Sequence, residues 1–168
     1  MTDDTYTPLF SEILEKVAKL KTKKDKVEYL QKYNTDALRM VIKSSFDPKI
    51  EWALPEGDVP YVPNEAPEGT EHNMLQHEAR TLFHYIKGGN GQLTQNKRET
   101  MFVQLLEGLH EDEAKLVVAA KDKKLHQVYK GLSANVVKEA FNWTDEYMLD
   151  EGEKVVYPQS SRAASFPD

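Results

Sequence analysis

Two histidines and a run of glycines are the first candidates for chemistry in this sequence. His77 and His84 lie seven positions apart on one predicted helix, so they share a face that a metal could use if a carboxylate joined them. His77-Glu78 begins the metalloprotease motif, but Thr81 stands where the second histidine is required. Because ordinary surface histidines give the same spacing, we expect no metal site.

The glycine run at 88–91 leaves room for a backbone to approach a phosphate closely. It follows a predicted helix rather than a strand, and it lacks the Gly-Lys-Ser/Thr ending of a P-loop, so we interpret it as a helix stop and turn. No serine lies in a nucleophile-elbow context, and the absence of cysteine excludes disulfides, thiolate zinc sites and a cysteine nucleophile. The sequence therefore predicts a protein that is not an enzyme and needs no cofactor.

Positive charge is concentrated in turns between predicted helices, although the 168-residue chain has a net charge of −6. Residues 21–46 carry seven bases against three acids, and lysines gather again at 121–124. A lysine-rich turn that leads into a helix N-terminus suits a phosphate group. Ordinary solvated lysines give the same pattern, and the negative total argues against broad, unspecific nucleic-acid binding.

Helices must position these turns, because apolar residues recur at helical spacing and no segment alternates with period two. Helix starts are predicted at Thr7-Pro8, Thr22, Asn34 or Thr35, Thr70 and Ser133. Predicted helices include 71–87, 95–109, 111–121 and a short one from 125 that ends at Gly131. The fold class predicted is all-α, with one compact domain of about seven to eight helices over residues 1–143.

Two acidic segments differ from the helices. Residues 47–70 hold five of the eight prolines, so we expect a long loop there without regular helix, pinned to the helices by Trp52. Residues 144–168 predict a largely disordered acidic tail. No stretch approaches the roughly 20 apolar residues of a membrane span, and the N-terminus lacks a signal-peptide pattern. We expect a cytoplasmic protein.

Three stretches resemble the N-terminal DNA-binding domain of ATP-dependent DNA ligases, particularly the T-even phage type. EILEKVAKLKTKKDKVEYLQKYNTDALRMVIKSSFDPKIEW, from Glu12 to Trp52, is similar to its first helices, with a basic Thr-Lys turn between them. GGNGQLTQNKRETMFVQLL resembles its internal loop and the helix that follows. DEAKLVVAAKDKKLHQVYKGLSANVVKEAF, from Asp112 to Phe141, is similar to its closing helices. The resemblance covers residues 12–143.

The resemblance implies a stand-alone, non-catalytic relative, because the chain has no Lys-x-Asp-Gly adenylation motif. In that family the domain grips duplex DNA across the minor groove, largely through phosphates and helix N-termini. Carried over by position, the DNA-binding residues implied are Thr22, Lys23, Lys24, Lys26, Lys97, Arg98, Lys121, Lys123, Lys124, Lys130, Ser133 and Asn135.

We therefore predict a phage-type accessory protein that binds the phosphate backbone of duplex DNA without chemistry. The alternative is a protein-interaction or virion-associated protein that keeps the helical fold without binding DNA and meets a protein partner through 47–70 or the tail. DNA binding is favoured if the structure places lysines 23, 24, 121, 123 and 124 on one face that is clear of residues 47–71. A protein partner or self-inhibition is favoured if acids of that segment lie over the lysines, namely Glu56, Asp58, Glu65 or Glu68.

Overall fold

The computed structural model describes residues 8–63 and 73–149, and these residues form helices joined by turns, with isolated bridges as their only β pairing. The α-helices are α1 (Phe10–Lys19), α2 (Lys23–Lys32), α3 (Asp36–Phe46), α4 (Leu75–Glu78), α5 (Gln95–Gly108), α6 (Glu111–Lys121), α7 (Leu125–Val128) and α8 (Ala134–Phe141), and a 3-10 helix (Ala79–Tyr85) continues α4. The all-α prediction is confirmed. No helix among the described residues is long and apolar enough to cross a membrane.

Three of the predicted helix starts are confirmed by their capping hydrogen bonds. The hydroxyls of Thr22, Thr35 and Ser133 each accept the backbone N–H three residues further on, at 3.1, 3.2 and 3.3 Å. Each bond satisfies one of the N–H groups that a helix leaves without a partner in its first turn. The positions of α2, α3 and α8 thus follow from local sequence.

Two other starts differ from the prediction. Helix α1 begins at Phe10 after Leu9, whose N–H is accepted by the Glu12 carboxylate at 2.8 Å. The helix predicted over 71–87 is wrong in its start and its kind, because it begins at Leu75 and becomes a 3-10 helix after four residues. Asn73 is held extended by its N–H bond to the carbonyl of Gly108 at 2.7 Å. Thr7 and Thr70 lie outside the described residues.

Helix α6 forms the centre of the molecule. It packs against α1, α3, α5 and α7, and its residues Leu116, Val117 and Ala120 are buried. Helices α2 and α8, which are far apart in the sequence, pack closely against each other. Burial of apolar surface in this arrangement is the main favourable term in folding.

A buried carboxylate on α6 joins two other helices to it. Glu113 is 1% exposed, and its two oxygens accept the first N–H of α1, from Phe10 at 2.9 Å, and the first N–H of α4, from Leu75 at 3.0 Å. Burial raises the pKa of this carboxyl, against the lowering effect of the two backbone donors. The positions of α1 and α4 therefore depend on one side chain.

The raised pKa of Glu113 predicts the sign of a pH effect. The folded state binds the proton more readily than the unfolded state, so this group contributes stability below the unfolded value of 4.5 and loses it as pH rises through the folded value. We expect the free energy of unfolding, relative to a Glu113→Gln variant, to fall with rising pH in that window. Urea titrations at a series of pH values measure it, and a relative stability that rises with pH contradicts it.

Residues 47–63, which we call the strap, have no regular helix, as the prolines predict. Trp52 is buried, and its indole N–H donates to the carbonyl of Ser44 at 2.9 Å. Its backbone also pairs with Ile86 beyond the 3-10 helix. The prediction that Trp52 pins this segment to the helices is confirmed. Residues 64–70 of the predicted loop lie outside the described residues.

Residues 144–149 are ordered, although the sequence assigned them to a disordered tail. The backbone N–H of Thr144 donates to Met148 at 2.7 Å, and Tyr147 is buried. The amine of Lys49 reaches the carbonyl of Glu146 at 2.8 Å. Contacts with distant parts of the chain thus extend the folded part past residue 143, and the remainder of the predicted tail, 150–168, lies outside the described residues.

Candidate nucleic-acid interface

The structure surrounds the amines of two predicted DNA-binding residues with protein oxygens, beginning with Lys121. Its side chain is 1% exposed. Its amine contacts the carbonyls of Pro55 and Gly57 at 2.7 and 3.0 Å and a carboxylate oxygen of Asp122 at 2.6 Å. The prediction for Lys121 is wrong, because three protein oxygens already surround its charge and no phosphate can reach it.

The amine of Lys123 is likewise occupied by hydrogen bonds within the protein. Its amine donates to the carbonyls of Ser44, Asp47 and Ile50 at 3.2, 2.7 and 2.7 Å. Its backbone has a φ of 61°, a left-handed conformation that turns the chain after α6. Burial lowers the pKa of this amine. The lysine thus satisfies carbonyls at the end of α3 and the start of the strap, and its predicted contact with DNA is wrong.

Arg98 holds the glycine turn. Its guanidinium donates to the carbonyls of His84 at 2.9 Å and Asn90 at 3.0 Å. Gly88 has a φ of 87° and a Cβ on Gly89 would lie 2.0 Å from the carbonyl oxygen of Phe83, so the predicted turn at 88–91 is confirmed. The predicted helix stop is wrong, because the 3-10 helix already ends at Tyr85 and the next residue is extended. The contact of half-buried Arg98 with DNA stays a prediction.

The strap lies against the turn at 121–124. Besides the contacts of Lys121 and Lys123, the N–H of Gly57 donates to Asp122 at 3.1 Å, and Lys124 forms an exposed ion pair with Glu56 at 3.7 Å. Glu56 is one of the acids whose position over the lysines favours a protein partner or self-inhibition over DNA binding. At this turn the arrangement favours lysines that are shielded by the chain's own strap over a site that is open to phosphate.

The contact of α2 with α8 brings some of the predicted residues together, since Lys23 and Asn135 line the same cleft. We use the name α2–α8 surface for the predicted residues at the starts of these two helices, Thr22, Lys23, Lys24, Lys26, Lys130, Ser133 and Asn135. The amine of Lys26 donates to the carbonyl of Gly131 at 3.3 Å, and Lys23 forms an ion pair with Glu139 at 2.9 Å. The turns before α2 and before α8, both of which the resemblance singled out, therefore lie close together. Lys97 is exposed at the start of α5, whose main contacts are with α6 and the 3-10 helix.

The α2–α8 surface offers several exposed cations. Lys24 and Lys130 are exposed and form no ion pair within the described ranges, and the same holds for the neighbouring Lys21, which the site prediction omitted. Gly131 has a φ of 99°, a conformation that residues with a side chain rarely adopt, so the turn before α8 favours glycine. The capped N-termini of α2 and α8 add partial positive charge to that of the lysines. This combination suits phosphate groups.

The histidines form no metal centre in the part of the chain that the structure describes. His77 is exposed and His84 lies within 3.0 Å of the Asn90 side chain. Among the described residues, no group of three or more histidine, aspartate or glutamate side chains could hold a metal ion. His72 lies outside them.

Comparison with known proteins identifies a family. A family model described as "Family of unknown function (DUF6433)" matches residues 13–127, which is about two thirds of the chain. No curated protein and no solved structure matches the chain. The match includes the basic turn before α2 and the turn at 121–124, and it ends before Lys130.

Proposed function

We propose that this chain, which belongs to the DUF6433 family of unknown function, is a non-catalytic phage-type accessory protein that binds duplex DNA through the α2–α8 surface. The observation that carries the proposal is the meeting of two basic helix starts more than a hundred residues apart, marked by the contact of Lys26 with the carbonyl of Gly131. The resemblance of residues 12–143 to ligase DNA-binding domains supports the same surface. Such a protein would act in the host cytoplasm, where viral DNA is present.

Binding of this kind is directed to phosphates. Lysine amines and helix N-termini contact the DNA backbone and do not distinguish one base sequence from another. Because each phosphate neutralised releases counterions, the affinity falls steeply with salt, with a log–log slope of about −0.9 per phosphate contacted. The net charge of −6 repels DNA elsewhere and limits binding to this surface.

A double charge reversal tests the surface. The Lys24→Glu, Lys130→Glu variant should weaken binding to duplexes of different sequence equally and reduce the magnitude of the salt slope by about 2, since two phosphate contacts are lost. Fluorescence anisotropy with nicked, intact and single-stranded DNA at several salt concentrations measures both quantities.

The matched control carries the same change of charge elsewhere. Lys87 and Lys115 are exposed and lie in surface ion pairs with Glu51 and Glu111, so their reversal to glutamate leaves the α2–α8 surface intact. We expect this control to bind more tightly than the test variant and to keep the wild-type slope. An equal loss of affinity in both variants would contradict the assignment of the surface.

A protein-interaction role is the second candidate, and the strap favours it. Glu56 covers Lys124, and beyond it the strap presents Asp58 and the 72% exposed side chain of Val62. An acidic segment repels the phosphates of DNA, so it fits a protein partner better than DNA. The same titration separates the two candidates, because absence of binding at low salt to all three DNA forms removes the DNA proposal and leaves the strap as the candidate surface.

A further inference from the structure

A cleft of about 680 Å³ opens beside the α2–α8 surface. Its walls include Lys23 from α2, Asn135 and Lys138 from α8, and Trp143 from the turn that follows. Lys23 and Asn135 also belong to the α2–α8 surface. The cleft is open to solvent rather than enclosed, and its volume leaves room for a group of the size of a nucleobase.

The position of Trp143 in this cleft is fixed by its neighbours. Asn142 ends α8 with a φ of 58°, and the N–H of Trp143 donates back to the carbonyl of Lys138 at 2.8 Å. The indole contacts the rings of Phe141 and Tyr147, with centroids 4.9 and 5.9 Å away. Tyr147 is itself buried at a φ of 61°, a conformation that such residues rarely adopt. This turn thus holds an aromatic side chain in place before any ligand arrives.

The cleft has an excess of negative charge, because three carboxylates line it, those of Glu139, Asp145 and Glu146, against two lysines. Lys23 pairs with Glu139 at 2.9 Å, and Lys138 pairs with Asp145 at 3.0 Å. The hydrogen bond that Lys138 donates to Asp145 raises the pKa of Lys138. A phosphate would find freer cations outside the cleft, at Lys24 and Lys130. What the cleft offers is an aromatic ring and the side-chain amide of Asn135, which hydrogen-bonds neutral polar groups.

We propose that the cleft takes one unpaired nucleobase of the bound DNA, stacked against Trp143, while the α2–α8 surface holds the flanking phosphates. Aromatic side chains next to a basic surface are how proteins commonly bind unpaired bases. The inference rests on the proposed function and deepens it, since it names the form of DNA preferred: a duplex with a base outside the stack.

The test compares two short duplexes of the same sequence, one fully paired and one with a single bulged adenine. The full-length protein should bind the bulged duplex roughly 5- to 150-fold more tightly, the factor that stacking of one base supplies. The Trp143→Ala variant should lose this preference and keep the wild-type affinity for the paired duplex. Phe83→Ala, which removes an exposed aromatic ring that does not line the cleft, should keep the preference.

A second measurement needs no variant. The protein has two tryptophans, and Trp52 is buried, so a base that stacks on Trp143 should quench the intrinsic fluorescence with the bulged duplex and not with the paired one. Equal binding of the two duplexes, or a preference that survives Trp143→Ala, overturns the inference and leaves the proposed function standing. Absence of salt-sensitive binding to the paired duplex overturns the proposed function itself.

Discussion

Replacement of Lys121 by methionine should lower the free energy of unfolding by about 3–5 kcal/mol, the usual cost of removing one partner of a buried ion pair. The variant keeps the apolar stem but removes the charge that Asp122 and the carbonyls of Pro55 and Gly57 share. Asp122 is itself only 10% exposed in its side chain, so its carboxylate would lose its main counter-charge away from water. Urea denaturation followed by circular dichroism measures the loss.

Lys124→Met is the matched control for this prediction. It removes the same kind of side chain from the same turn and also breaks a contact with the strap, but its ion pair with Glu56 is exposed on both sides. Exposed pairs contribute about 0–1 kcal/mol, so we expect a loss of that size. If Lys121→Met proves as mild as Lys124→Met, the buried contacts do not stabilise the strap.

Glu113→Ala is the second substitution with a large expected effect. It leaves the N–H groups of Phe10 and Leu75 buried without an acceptor, and each buried donor left unsatisfied costs about 1–3 kcal/mol. We therefore expect a loss of about 2–6 kcal/mol in the free energy of unfolding, before any cost of the cavity. Because both bonds sit at helix starts, hydrogen exchange should accelerate first in α1 and α4.

Asp112→Ala provides the comparison, since Asp112 stands beside Glu113 in the first turn of α6 and is exposed. Its favourable interaction with the helix dipole is worth about 0.3–1 kcal/mol. A loss in Glu113→Ala no larger than this would show that water reaches the two N–H groups. Unchanged exchange in α1 and α4 would contradict the role of Glu113 in positioning them.

Features that depend on a few neighbouring residues could be predicted from the sequence. The caps at Thr22, Thr35 and Ser133 are examples, because each hydroxyl bonds an N–H three residues away. The same holds for the irregular strap, since prolines exclude helix wherever they stand. The start of α4 was missed, because it depends on a carboxylate 38 residues away.

The candidate site could likewise be predicted only where it depends on neighbouring residues in the sequence. Lys121 and Lys124 look alike in the sequence, yet one amine is enclosed by carbonyls 64 and 66 positions away and the other is exposed. Charge alone identifies a cation and says nothing of which oxygens surround it. The resemblance placed Lys26 and the turn at Gly131 among the DNA-binding candidates but did not predict their contact, and nothing in the local sequence marked Trp143 as part of a cleft.

Helices α1 and α2 contact residues that lie far later in the sequence, and this separation also constrains how the chain folds during its synthesis. Phe10 bonds a residue 103 positions later, and Lys26 one 105 positions later. At translation rates of about 5–20 residues per second, these partners emerge about 5–20 s after the helices that need them. For that interval the apolar faces of α1, α2 and α3, with Val17, Leu30 and Ile42, lack the part of the core that α6 and α8 supply. The nascent chain is therefore most exposed to aggregation and to chaperones before α6 emerges, and the arrival of α8 completes the domain.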